Sequence, residues 1–191
     1  MTELKERLLN LATNTWISIG LTLGLLQVSR WFDFTNPAAL LILRVLYVSA
    51  QLTVLSLSFR LIKLIAKKDD QTQLKYVEPP KPGETESELI TTTYHDYDLT
   101  EAKKLRSQLL IGMLLTAVIH LWWGTCPPLV IQLVLPLKSF LTSKVALVHI
   151  WGQSVRRPFK VEGPFGQLMQ QPLTDRASIK KMTKGNKKKK L

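Results

Sequence analysis

The stretch Leu109-Leu110-Ile111-Gly112-Met113-Leu114-Leu115-Thr116-Ala117-Val118-Ile119-His120-Leu121-Trp122-Trp123 decides the fold class. It carries no formal charge and lies in a gap of 31 uncharged residues between Arg106 and Lys138. A helix crossing a bilayer core of ~30 Å needs about 20 apolar residues. Paired tryptophans at the end of such a run suit the boundary between hydrocarbon and water. Two similar gaps precede it. Residues 8–29 hold no charge, and residues 34–59 hold one, Arg44. The 191-residue chain as a whole is 46% hydrophobic and 21% charged, like a soluble protein; it is the segregation of its charges that argues against a soluble globule.

The pattern predicts an all-α integral membrane protein of three to four membrane segments. A membrane domain, 1–151, contains spans at about 8–29, 37–59 and 107–123, plus a crossing or half-crossing segment at 129–151 interrupted by Pro136. Asn36 or Thr35 can cap the second span, with Pro37 at its first helical position. Past Phe59 the helix is expected to continue into the headgroups through Lys68. Asp98-Leu99-Thr100-Glu101 reads as a capping-box start for the third span, with Asp98 as the cap. The first segment lacks the pattern of a cleavable signal peptide. Its Gly20 and Gly24 form a G-x-x-x-G spacing that lets another helix pack closely.

Lysine and arginine bias sets the orientation. Arg60, Lys63, Lys67 and Lys68 leave the second span, while Lys103, Lys104 and Arg106 enter the third. Both groups flank the 60–106 loop, which should therefore be cytosolic, as should the N-terminus and the 152–191 tail. Leu74–Val77 and Leu89–Tyr94, rich in β-branched and aromatic residues, are able to pair as a small hairpin within this loop. The tail is read as a disordered basic extension: from Arg156 onward it has 11 Lys/Arg against Glu162 and Asp175. Arg60, Lys63, Lys67, Lys68, Lys187 and Lys190 are candidates for contact with anionic lipid or RNA phosphate, without specific nucleic-acid readout. Lys188 and Lys189 resemble a dilysine retrieval signal.

A charge within a span is costly and faces protein or water. Arg44 can snorkel and pair with Asp33. Alternatively it can line an intramembrane polar groove with Gln51, Gln27, His120, Gln132 and Lys138. Such a groove would admit polar parts of a nascent chain, or an anion such as phosphate. His95-Asp96-Tyr97-Asp98 reads as a turn rather than a metal site, and the single Cys126 allows no intrachain disulfide. No paired carboxylates, nucleophile–base pair or phosphate-cradling glycine loop appears, so neither an enzyme nor a cofactor is expected.

Gln27-Val28-Ser29-Arg30, Arg44-Val45-Leu46-Tyr47, Lys75-Tyr76-Val77-Glu78-Pro79, Asp96-Tyr97-Asp98-Leu99, His120-Leu121 and Arg157-Pro158-Phe159-Lys160 occur in this order. Together they resemble a fungal endoplasmic reticulum membrane family first named for inorganic phosphate transport. The same family is also identified as the third component of the SRP-independent (SND) targeting pathway. The resemblance spans roughly Leu26 to Phe165. It implies a non-enzymatic factor that delivers or inserts membrane and secretory precursors with the Sec translocon, the ribosome and other SND components. It also implies an association with phosphate-permease maturation, so phosphate transport stays open as the alternative. A third possibility is a scaffold holding permease helices through Gly20 and Gly24.

Overall fold

The computed structural model describes residues 13–80, 87–160 and 172–174. Among them are five helices and one two-stranded antiparallel sheet. In chain order these are α1 (Thr15–Ser29), α2 (Pro37–Lys68), β1 (Gln73–Glu78), β2 (Glu88–Thr93), α3 (Tyr94–Trp123), α4 (Pro127–Thr142) and α5 (Lys144–His149). Two of them, α2 and α3, are long and apolar enough to cross a membrane. The chain divides into two compact units: 1–64 with 101–153, and 65–100 with 154–191.

Local signals place the helix ends. Asn14 Oδ1 accepts from the Trp16 amide at 2.9 Å and caps α1. Asn36 Oδ1 accepts from the Ala38 amide at 2.9 Å, with Pro37 behind it, as the sequence predicts. Asp69 ends α2 in the left-handed region at φ 43°, its amide reaching back to the Ile65 carbonyl. Gly124, at φ 66°, ends α3 in the same way on the His120 carbonyl, where glycine pays no Cβ penalty. The segment expected at 129–151 is not one helix. Pro127 and Pro128 start α4, which stops at Thr142 because Ser143 turns extended and caps α5 by accepting from the Ala146 amide. Of the first expected span, 8–29, residues 8–12 lie outside the described residues, and α1 covers Thr15–Ser29.

In the first unit, α2 and α3 are antiparallel neighbours. Their contacts run in opposite chain order: Arg44 with His120, Tyr47 with Met113, Phe59 with Arg106. Helix α4 folds back along α3 after a three-residue turn. Lys138 of α4 reaches Ser18 of α1, its Nζ donating to Oγ at 2.6 Å. Leu43, Tyr47, Cys126, Leu129 and Val130 form a buried core at the Trp122–Trp123 end, joined by Leu25, Phe34 and Met113.

One contact ties α2 to α4 through a backbone defect. Pro136 has no N–H, so the Gln132 carbonyl lacks its partner four residues on. The buried Gln51 side chain supplies the missing donor, its Nε2 standing 2.8 Å from that carbonyl. Gln51→Leu should therefore cost ~1–3 kcal/mol, the usual penalty for an orphaned buried acceptor. In a Pro136→Ala background, which restores the helical N–H, the loss should be markedly smaller. Thermal unfolding of the four purified proteins in detergent gives the coupling.

In the second unit, β1 and β2 pair in the register Leu74↔Thr92, Tyr76↔Ile90, Glu78↔Glu88, which is the expected hairpin. Asp98 is not a helix cap. The helix starts four residues earlier, at Tyr94, and the Asp96 amide donates to the Thr93 hydroxyl instead. Asp98 is freed for a two-pronged ion pair with Arg157, at 2.8 and 2.6 Å. Arg157 also lies 4.5 Å over the Tyr94 ring. The Asp98 carboxylate holds Arg157 even further above the range where it would lose its proton. The Tyr97 hydroxyl accepts from the Phe159 amide at 2.8 Å, and Tyr97 meets the Tyr76 and Phe159 rings. Leu173 exchanges two backbone hydrogen bonds with Val77 along the outer edge of β1.

Within the tail expected from residue 152, the described residues 152–160 and 172–174 are held to this unit through Arg157, Phe159 and Leu173; Lys187 to Lys190 lie outside the described residues. Asp98 is 1% exposed. Arg157→Leu should destabilise this unit by ~3–5 kcal/mol, because it strands a buried carboxylate. Adding Asp98→Leu should recover much of that loss. Melting temperature and trypsin cleavage near Lys160 report both effects.

Candidate functional site

The polar residues singled out from the sequence meet in pairs, Arg44 with His120 and Gln51 with Gln132, at separate levels along the helices. Arg44 Nε donates to His120 Nε2 at 3.1 Å, while His120 Nδ1 stands 2.9 Å from the Thr125 carbonyl. A carbonyl only accepts, so the proton sits on Nδ1 and the Nε2 lone pair faces Arg44. A histidine missing its proton at Nε2 is the group that can receive a guanidinium hydrogen without repelling its charge.

Asp33 is not Arg44's partner. It accepts from the Thr35 hydroxyl at 2.6 Å and from the Thr35 amide at 3.0 Å, which hold its carboxyl below the ordinary range. His120 lies three residues before Trp123, a rise of ~4.5 Å. Arg44 is thus near the tryptophan end rather than midway along the apolar run.

Gln51 and Gln132 meet some seven residues, or ~10 Å, further along. Lys138 lies another ~9 Å on and is engaged by Ser18. Gln27 is exposed on α1 and joins none of these contacts. Gly20 and Gly24 also face no other part of the described chain: a Cβ at either would have open space within 4 Å. The G-x-x-x-G stripe packs no helix here because α1 meets α4 through a different face, the one carrying Ser18.

What the fold does assemble is a cleft of about 270 Å³ between α3 and α4. Gly112 and Pro136 are part of its lining. A Cβ on Gly112 would stand 3.4 Å from Gln132 Nε2, so glycine lets the amide lie against the helix. Leu105, Leu109 and Leu135 form apolar walls. Gln108, Gln132 and Ser139 contribute amides and a hydroxyl, all uncharged and able both to donate and to accept. Gln108 and Ser139 are exposed, and Gln108 lies two residues from Arg106 on α3.

Sequence reasoning found Gln132 and missed Gln108, Gly112 and Ser139. A signal was present. Leu105, Gln108, Leu109 and Gly112 share one face of α3, and Gln132 and Ser139, seven apart, share one face of α4. Among the described residues, no three His, Cys, Asp or Glu side chains gather to hold a metal. The cleft can exchange hydrogen bonds with a polar group in apolar surroundings. Its lining holds no charge or acid, and no base stands with the Ser139 hydroxyl there.

Residues 13–190 match the family described as "Phosphate transport (Pho88)". The chain belongs to this family. It is 33% identical over 168 residues to the fission yeast "SRP-independent targeting protein 3 homolog", covering 85% of this chain and 87% of that one. It is also 33% identical over 169 residues to the budding yeast "SRP-independent targeting protein 3", covering 85% and 89%. No solved structure matches. The family resemblance read from the ordered motifs thus stands.

The hydrogen bonds of His120 make a direct prediction. Nitrogen-15 NMR of the detergent-solubilised protein should show His120 as the Nδ1–H tautomer near neutral pH. Arg44→Leu should leave Nε2 without its donor and change that nitrogen's shift, while the Nδ1 signal stays protonated through the Thr125 carbonyl.

Proposed function

We propose that this Pho88-family chain is a non-enzymatic endoplasmic reticulum membrane factor for SRP-independent targeting and insertion of precursor proteins, working with the Sec translocon. The observation that carries this reading is the neutral polar cleft, whose exposed Gln108 and Ser139 lie close in sequence to the cations Arg106 and Lys138 on otherwise apolar helices. A polar loop or flank entering a bilayer loses its hydrogen bonds to water at several kcal/mol per unsatisfied group. Gln108, Gln132 and Ser139 offer replacements, and the leucine walls accept an apolar segment beside them.

Three further facts support the reading. The relatives' names specify targeting. The most apolar stretches of α2 and α3 are only 22% and 11% buried, whereas a core helix of a soluble protein is mostly buried. Leu41, Leu52, Ile111 and Leu114 are each about 60% exposed, as lipid-facing residues are.

Helices α1 and α4 complete the proposed bundle as shorter crossings. This puts the N-terminus, the 65–100 region and the C-terminal lysines on the cytosolic side. The cations Arg60, Lys63, Lys67 and Lys68, with Lys187 and Lys190, would then meet anionic headgroups or ribosomal phosphate, and Lys188 and Lys189 would serve retrieval. The phosphate-transport alternative draws on the family description, but the cleft lining holds no cation to match a phosphate.

A photo-crosslinking side chain at Gln108 or Ser139 should capture ribosome-bound precursors in microsomes; one at the lipid-facing Leu121 should not. Gly112→Trp, which fills the cleft, should slow client insertion roughly tenfold, the effect of about 1.4 kcal/mol on a barrier. Equal crosslinking at all three sites, with insertion unchanged, would reject the proposal.

A further inference from the structure

We infer that Arg106, held on the ring of Phe59, is the centre of a binding site for the phosphate of an anionic phospholipid headgroup. The inference rests on the membrane reading above. The Arg106 guanidinium carbon lies over the Phe59 ring, 5.0 Å from its centroid, a cation–π distance that holds the side chain beside α2. Arg106 is only half-exposed, yet it has no hydrogen bond or ion pair with any described residue. An oriented, unpartnered guanidinium is a bidentate donor waiting for an oxyanion.

Its surroundings carry the same sign. Lys103 sits one turn earlier on the same face of α3, and Arg60 directly follows Phe59 on α2, with Lys63 three residues on. Lys103, Arg60 and Lys63 are exposed and have no ion pair among the described residues. The nearest acid in α3, Glu101, is already engaged by Lys104 at 2.8 Å. Unlike Lys104, then, Arg106 has nothing local to neutralise it.

The position selects the ligand. Arg106 precedes the uncharged run 107–137, and Phe59 ends the apolar part of α2. This is the level at which a helix pair leaves hydrocarbon, where lipid phosphates are concentrated and free anions are not. Cations next to an anionic leaflet gain ~1 kcal/mol each, and a stacked Arg fork adds geometry to that charge.

The test is native mass spectrometry of the full chain, released from nanodiscs of phosphatidylcholine mixed with phosphatidylinositol. The expected result is retained phosphatidylinositol that falls roughly fivefold in Arg106→Gln, the equivalent of ~1 kcal/mol per cation. Lys104→Gln removes the same charge from a lysine already paired, and should retain lipid like the parent. Arg106→Lys keeps the charge but loses the flat fork, and should retain less than the parent.

Equal loss in Arg106→Gln and Lys104→Gln would reduce the effect to net charge and overturn the site. Displacement of the lipid by millimolar inorganic phosphate would assign the same chemistry to a free anion instead. Ribosome binding that drops in Arg106→Gln while lipid retention does not would assign it to RNA. A chain that fails to enter the nanodiscs would overturn the membrane reading itself, separately from the lipid site.

Discussion

The first unit depends on a carbonyl that its own helix leaves unpaired. Pro136 takes an N–H out of α4, and in apolar surroundings that vacancy on the Gln132 carbonyl must be filled by another element. Gln51 fills it, and the helix register follows. Once Gln51 is joined to Gln132, α4 is held against α2 at one level, and Gly112 of α3 lies at that level beneath the Gln132 side chain. Both the core around Tyr47 and Leu129 and the cleft near Gln108 lie along helices aligned by this contact. The proline that breaks one hydrogen bond thus gives α2 a backbone partner on α4.

The polar groups along the helices divide by task. At the tryptophan end, Arg44 donates its Nε–H to a histidine already oriented by the Thr125 carbonyl. Midway, Gln51 repairs backbone. Toward the cationic end, Lys138 is taken up by Ser18. The cleft residues are left with capacity to serve something that is not part of the chain, and, unlike the cations around Arg106, they are neutral. A neutral hydrogen-bonding surface suits a passing peptide better than a strongly held ion, since it neither demands a counter-charge nor binds too tightly to release. The second unit solves a different problem. A short two-stranded hairpin is marginal by itself, and the Asp98–Arg157 pair, the Tyr97 hydroxyl and Leu173 add a segment from distant sequence to give it a core.

Much of this was legible in the residues alone, because it is set by local or one-dimensional physics. Charge gaps mark apolar helices, since lipid and core both exclude ions. Asn36 before Pro37 and Gly124 before a Pro-Pro pair mark ends, because caps act within one turn. The β-branched runs at 74–77 and 89–93 mark strands, and six ordered motifs mark the family. What sequence could not settle was partnership. Arg44 had several polar groups within helical reach, and nothing local says that His120 meets it, 76 residues away. Asp98 looks like a cap because Asp followed three residues later by Glu usually is one. It is not, because Arg157 offers a stronger partner from 59 residues off. Gly20 and Gly24 look like a packing seam, and no helix of the described chain uses it. Whether a residue lines a cleft or faces outward depends on which helix lies opposite, and that is a three-dimensional fact. The sequence by itself therefore determined which segments are apolar and helical and which family they belong to, but not the break at Ser143 or the start at Tyr94. Only the tertiary structure decided which polar groups are satisfied and which are left open, because pairing over long sequence separations depends on how the packed elements are aligned.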